Sequence, residues 1–179
     1  MSCLLKGVEI FKLPIYNDSR GSFQESFRKD LIEKKIGKID FVQDNQSHSK
    51  YGVIRGLHYQ IEPFQQSKLV RVISGKILDV VIDLRKSSKT FGKLYSIELN
   101  SDSNVQLFIP PGFAHGFSSL SDNTLVSYKV DNYYSRDYEF GIAYNDSHLN
   151  IDWKIPAEDI IVSDKDKKLD NFDNCIKFK

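Results

Sequence analysis

The sequence predicts an all-β sandwich or barrel, and three observations carry that reading. From residue 40 to residue 130 the chain is a succession of short runs rich in Val, Ile, Tyr and Phe, the residues that suit a pleated, half-buried surface. The breaks between them are built from Gly, Pro, Asn, Asp and Ser, and they recur at near-regular spacing. The best helix in the chain, Asp30 to Ile36, is short.

In chain order, Val8 to Phe11 reads as a first short strand. Asn17 to Ser22 is dense in turn formers, and Ser22 to Phe27 alternates in character. The helix starts near Asp30 and stops at Gly37, about two turns. Eight strands follow: Asp40–Ser47, Val53–Gln60, Lys68–Ser74, Ile77–Leu84, Lys93–Leu99, Val105–Ile109, His115–Leu120 and Thr124–Val130. In the fourth, Leu78, Val80, Ile82 and Leu84 share one face. Asp79 and Asp83 fall on the other with Ile77 and Val81, where a carboxylate meets either solvent or an internal partner. Beyond Trp153 the pattern weakens. Ile155-Pro156 reads as a strand end and Ala157 to Asp159 as a single helical turn. The segment after Leu169 is polar and reads as loosely held. The charge run Asp164–Lys168 has the composition of a solvated turn.

At 179 residues the length fits one domain spanning 1–179, long enough for a full core. Lys and Arg number 25 against 24 Asp and Glu, so bulk charge points to neither nucleic acid nor an anionic membrane. An anionic ligand must be held by local basic side chains. Cys3 and Cys175 lie near opposite ends, with no zinc-type spacing and no disulfide framework, which suits a reducing compartment. No run approaches the roughly 18 apolar residues of a membrane span. Lys6, Glu9 and Lys12 interrupt the start where a signal peptide has its apolar core. A cytoplasmic protein is expected.

The run Arg55-Gly56-Leu57-His58-Tyr59-Gln60 is the first place to look for chemistry, since it holds one of only four histidines. Strict alternation puts Ile54, Gly56 and His58 on one face and Val53, Arg55, Leu57 and Tyr59 on the other. His58 then points inward, and Gly56 leaves room for something to approach. A core histidine satisfied by a neighbour is the competing reading. The second informative stretch is Ile109 to Phe117. Two prolines and Gly112 make a sharp lead into a strand, where His115 sits between Ala114 and Gly116. It serves either as a ligand contact or as a structural turn histidine. Arg20, Glu25, Gln43, Asn45, Arg55, His58, Lys68, His115 and Tyr128 lie singly on separate elements. A barrel converges such positions on one cavity, although most isolated Arg and Lys side chains are solvated.

Metal-binding members of the double-stranded β-helix class need two histidines two residues apart, a nearby glutamate and a later histidine. Here His58 is followed by Tyr59 and Gln60, and Glu62 abuts Pro63, so the site reads as metal-free. The chain has no Gly-x-Ser-x-Gly elbow, no cysteine beside a histidine and no glycine-rich phosphate loop. What remains is general acid–base chemistry by histidine and tyrosine.

An ordered set of motifs then becomes specific. Gln43-x-Asn45, Gly52 to Gln60, Lys68 to Val72, Asp79 to Arg85, Ile109 to Phe117, Tyr128-Lys129 and Ser163-Asp164-Lys165-Asp166 together resemble the dTDP-4-dehydrorhamnose 3,5-epimerases, from about Val8 to about Asp166. The resemblance implies a cupin-type double-stranded β-helix, a jelly-roll barrel. To this it adds a short helix near residues 30–36 and a small C-terminal helical or loop segment. It implies a metal-free homodimer without cofactor, acting on a dTDP-linked 4-keto-6-deoxy sugar. By the same resemblance His58 is the base and Asp166 the carboxylate that orients it. Lys68 stabilises the enolate oxygen and Tyr128 is the acid on the opposite face. Asp83 is a second carboxylate that could join the network around His58. Arg20 and Glu25 match N-terminal positions that reach a neighbouring subunit's site. Gln43, Asn45, Arg55, His115, Glu139 and Lys165 match ligand contacts, Arg55 suiting a diphosphate by its forked donors. Tyr134 is a candidate to stack on thymine.

Two departures leave room for a shifted substrate. Gln46 stands where many members have histidine, and Pro111 where glutamate is usual. A single-centre epimerase, an enzyme for a related keto-sugar, a catalytically silent sugar-nucleotide-binding barrel and a metal-dependent cupin oxygenase or isomerase are the competing readings.

Overall fold

The structure, a computed structural model, describes residues 4–179. Cys3 lies outside them. Two facing sheets dominate. The first, in spatial order, contains β1 (Glu9–Lys12), β9 (Val105–Ile109), β6 (Lys68–Ser74), β11 (Thr124–Val130) and β4 (Gln43–Ser49). The second contains β12 (Glu139–Gly141), β5 (Val53–Gln60), β10 (Phe113–Ser119), β7 (Lys76–Asp83) and β8 (Leu94–Asn100). A short β13 (Ile161–Val162) runs parallel to the start of β5, on Val53 and Ile54. β2 (Ile15–Asp18) and β3 (Gly21–Gln24) form a separate hairpin, and among the described residues the one α-helix is α1 (Lys29–Ile36). This is the expected all-β jelly-roll architecture.

The two sheets bury a common interior. Val70 and Val72 of β6, Leu107 of β9 and Val126 of β11 meet Ile77 and Val81 of β7, Leu99 of β8 and Phe113 and Phe117 of β10. The division of β7 into two faces holds. Leu78, Val80, Ile82 and Leu84 belong to a second cluster on the outer side of the second sheet. That is why β7 reads as a nearly unbroken apolar run: both its faces are covered. α1 seals the outer side of the first sheet, setting Ile32 against Phe11, Leu69 and Phe108. Gly37 closes the helix at φ +88°.

Several expectations need correction. The segment after Leu169 is not loosely held. Phe172 and Cys175 are buried and Phe178 packs beside them, covering the outer face of the second sheet. The Tyr59 hydroxyl donates to the Ile176 carbonyl at 2.7 Å. Composition hid this because a few apolar residues among polar ones suffice to cap a sheet. Ile155-Pro156 ends no strand. Lys154 takes φ +60°, which breaks an extended run, and buried Trp153 donates its indole N–H to Tyr144 O at 2.8 Å. The third strand stops at Gln24 and β4 begins at Gln43, because Phe27 and Phe41 meet edge-on at 5.7 Å beside α1 instead of extending the sheets. The turn of Ala157–Asp159 is present as a 3₁₀ turn. Glu139–Gly141 and Ile161–Val162 are strands too short to announce themselves in the sequence.

Candidate active site

The alternation expected for β5 fails at its centre. His115 of β10 pairs with His58, but Phe117 pairs with Arg55, so β5 holds one residue more than its partner there. Gly56 sits at the bulge with φ +107°, and a Cβ on it would stand 2.7 Å from both Gly116 Cα and His115 O. The bulge reverses the faces on either side. Ile54 joins Leu57 and Tyr59 in the outer cluster, while Arg55 and His58 both face the interior. Arg55 is therefore on the same side as His58, not opposite it.

That interior opens into a cavity of 690 Å³. Asn45, Arg55, His58, Lys68, His115, Tyr128, Tyr134, Glu139, Lys165 and Asp166 all line it. Gln43 lines a smaller adjoining space of 110 Å³ that shares His58, Lys68 and Tyr128 with it. Gln43 and Asn45 do share a face, and the Gln43 side-chain amide donates to Asn45 Oδ1 at 2.8 Å. The Tyr134 backbone N–H donates to Gln43 Oε1 at 3.1 Å, which ties the Tyr134 segment to β4.

His58 Nε2 lies 2.8 Å from Asp166 Oδ1. Asp166 opens a 3₁₀ turn, Asp166–Lys168, and its backbone N–H donates to Ser163 Oγ at 3.1 Å. The other carboxylate oxygen accepts the Gly56 N–H at 3.2 Å. Burial pushes the Asp166 carboxyl up, but the His58 bond and charge and the Gly56 N–H more than offset it, and the group sits below the usual carboxylate range. The run Asp164–Lys168 is thus only partly the solvated turn its composition suggests, since Asp166 is 4% exposed.

Lys68 reaches across from β6 in the first sheet to the second, where its ammonium donates to the His58 carbonyl at 3.2 Å. Enclosure drives its pKa down to about 8, against the opposing pull of Asp79 and Glu139. Tyr128 projects from β11, also in the first sheet, and burial raises its hydroxyl, so it stays protonated near neutrality. His58 and Tyr128 therefore enter one cavity from facing sheets. At the rim Lys165 pairs with Glu139, and the Tyr134 hydroxyl donates to Glu139 Oε2 at 2.8 Å. Arg55 rests on Ser49 Oγ and the His48 carbonyl, both at 3.1 Å. Neither partner is anionic, which leaves its charge available to an anionic ligand.

Three expected residues are elsewhere. Asp83 does not join the His58 network. It accepts from the Arg85 backbone and guanidinium, Ser88 and Thr90, and so pins the loop after β7. Arg20 lies at the turn of the β2–β3 hairpin, paired with Asp18, and Glu25 follows the hairpin, 3.4 Å from Arg28. Neither lines the cavity of its own chain. Gln46, a departure from the family pattern, lines it too, as do Ser47, Phe117 and Ile161, which the sequence did not mark as site residues. The period of β4 pointed to Ser47, two residues on from Asn45, while Ile161 carried no signal. Among the described residues no three His, Cys, Asp or Glu side chains gather as a metal site would require.

Comparison with known proteins settles the family. A family model described as dTDP-4-dehydrorhamnose 3,5-epimerase matches residues 2–174. The chain belongs to the dTDP-4-dehydrorhamnose 3,5-epimerase family. An epimerase of that name from Shigella flexneri is 49% identical over 160 residues, covering 89% of this chain and 87% of its own. The crystal structure of a dTDP-6-deoxy-D-glucose-3,5-epimerase from Legionella pneumophila Philadelphia 1, in complex with dTDP-4-keto-L-rhamnose, superposes with TM-score 0.91 at 40% identity, covering 97% of this chain and 92% of that one. More distant is a 3'-monoepimerase from Streptomyces bikiniensis in complex with dTDP-quinovose, with TM-score 0.86 and 28% identity over 93% of this chain and 84% of that one. The epimerase family thus shares this fold with a protein that inverts one centre.

Proposed function

We propose that this protein epimerises carbons 3 and 5 of dTDP-4-dehydro-6-deoxy-D-glucose to give dTDP-4-dehydro-L-rhamnose, in dTDP-rhamnose and surface polysaccharide biosynthesis. The observation that carries the reading is His58 on one sheet, held by Asp166 from the 3₁₀ turn beside it and opposed in a single cavity by Tyr128 on the other sheet. Carbons 3 and 5 flank the carbon 4 ketone, so each C–H proton is acidic enough to remove. His58 takes the proton, and the C–H electron pair moves into an enolate whose negative charge rests on the carbon 4 oxygen. Asp166 holds the His58 ring and stabilises the imidazolium. Lys68, itself desolvated by its enclosure, offers the enolate oxygen its positive charge. Tyr128 returns a proton from the facing sheet, and removal on one face with return on the other inverts the centre. Arg55 holds the diphosphate end, and Tyr134 stacks on thymine, with Gln43, Asn45, His115, Glu139 and Lys165 as further contacts. No step calls for a metal ion or a cofactor, and the side chains in the cavity suffice for proton transfer.

The working form we propose is a cytoplasmic homodimer of single-domain chains. The β2–β3 hairpin supports the dimer. It is exposed along its length, with Tyr16 57% and Phe23 66% exposed, and a lone two-stranded hairpin is marginal in water. A second copy would cover it and receive Arg20 and Glu25 at its cavity. The free, buried Cys175 thiol suits a reducing compartment. An enzyme inverting one centre is the second reading, favoured by the Streptomyces bikiniensis relative. The test is incubation with dTDP-4-dehydro-6-deoxy-D-glucose and NMR of the sugar ring. Inversion at both carbons is expected, inversion at one selects the second reading, and an unchanged sugar refutes both.

A further inference from the structure

Two carboxylates on β7, Asp79 and Asp83, face the same side and are both 0% exposed, yet their surroundings differ. Asp83 is saturated by donors from Arg85, Ser88 and Thr90, as expected of a structural anchor. Among the described residues Asp79 has one hydrogen-bond partner. Its Oδ2 lies 2.9 Å from His115 Nε2, and its Oδ1 is buried with no hydrogen-bond donor. Among the described residues only one other buried side-chain polar atom, Ser47 Oγ, is left so. A half-satisfied carboxylate is a costly way to hold a strand, and its single partner is a histidine lining the cavity.

We propose that Asp79 is a positioning residue for the epimerisation. It holds the Nε2 proton of His115 and thereby leaves Nδ1 as a hydrogen-bond acceptor for a hydroxyl of the bound keto-sugar. The chemistry follows from imidazole itself. In the neutral ring one nitrogen donates and the other accepts, and the partner of one fixes the role of the other. The groups facing His115 are Asp79 from β7, Lys68 from β6 and His58 from the adjacent β5. Burial, together with the Lys68 and His58 charges, disfavours a cationic ring; Asp79 opposes this but does not overcome it. A neutral, Nε2-protonated His115 can accept from a sugar hydroxyl, whereas an imidazolium could only donate. The same carboxylate supplies Lys68 with one of its two nearby negative charges, Glu139 being the other. Asp79 thus serves His115 as a hydrogen-bond acceptor and Lys68 through its charge.

The proposal rests on the epimerase reading for the sugar hydroxyl but not for the tautomer. Nitrogen-15 NMR of the ligand-free wild-type protein near neutral pH, with His115→Gln for assignment, is expected to show His115 protonated on Nε2 only. An Nδ1-protonated or cationic ring would overturn the proposal, whatever the substrate is. In Asp79→Asn the amide can present its NH₂ to Nε2, so the proton is expected to move to Nδ1. Deuterium incorporation into the keto-sugar is expected to fall by about tenfold or more, with dTDP affinity unchanged. Wild-type rates in Asp79→Asn would also overturn it. Should that variant fail to fold, the wild-type tautomer still decides.

Discussion

His58 and Asp166, 108 residues apart in the chain, meet at 2.8 Å, and the second Asp166 oxygen holds the Gly56 N–H at 3.2 Å. One carboxylate thus fixes both the base and the bulge that turns the base inward. His58→Ala is expected to lower turnover by about 10²–10⁴-fold, the usual contribution of a positioned general base, while thermal unfolding stays near wild type. The side chain is only partly enclosed and leaves no closed void. Near-normal turnover would remove His58 from the base role.

Asp166→Asn separates orientation from basicity. An amide can still accept from Gly56 but can no longer stabilise an imidazolium. Turnover is expected to fall by about 10²-fold or more while dTDP binding, followed calorimetrically, holds. An unchanged rate would show that the pair at 2.8 Å serves structure alone.

Tyr128→Phe is expected to uncouple exchange from inversion. His58 still removes and returns a proton on its own face, so deuterium enters the sugar, but the configuration is kept. Binding should change little, because the ring remains. Full inversion by this variant would assign the acid role elsewhere.

The pH dependence follows from Lys68. Its pKa is lowered to about 8, so it is charged below that pH and neutral above it. Stabilisation of the enolate oxygen is therefore complete well below pH 8 and lost as pH rises through about 8. The account predicts a basic limb in kcat/KM near pH 8 that disappears in Lys68→Ala, whose residual rate is low and flat in this range. A limb that survives in Lys68→Ala belongs to another group.

Asp83 tests the division between structure and chemistry. Burial raises its carboxyl, but bonds from Arg85, Ser88 and Thr90 bring it down to about 2 from an ordinary 3.8. A depressed folded pKa gives stability that is present above the unfolded value and lost as pH falls through the folded one. Asp83→Asn should therefore cost about 2 kcal/mol near neutrality and little near pH 2, measured by denaturant unfolding, with turnover per folded molecule unchanged. A selective loss of turnover would return Asp83 to the active site.

Much of this site was legible in the sequence because its residues sit on strands whose alternation is regular. Gln43 and Asn45 share a face of β4 as alternation puts them, whereas Lys68 and Tyr128 were marked by the family resemblance and not by period. β5 shows where period-two reading fails. A bulge at Gly56 adds one residue, and period-two reading then assigns Arg55 and Ile54 to the wrong faces. Gly56 leaves room for an approach, and what approaches is the backbone of β10. The choice between Asp79 and Asp83 was not legible. Both share a face of β7, and only the loop carrying Arg85, Ser88 and Thr90 distinguishes them. The C-terminal segment misled because Phe172, Cys175 and Phe178 have no period of their own; the sheet they cover dictates their placement.

The central claim is proton transfer beside a ketone, and heavy water tests it most directly. The protein would be incubated in deuterium oxide with dTDP-4-keto-6-deoxyglucose and the label located by NMR. The account predicts deuterium at carbons 3 and 5, with labelling at each carbon abolished by His58→Ala. A wild-type protein that folds, binds dTDP and leaves both carbons unlabelled would contradict it.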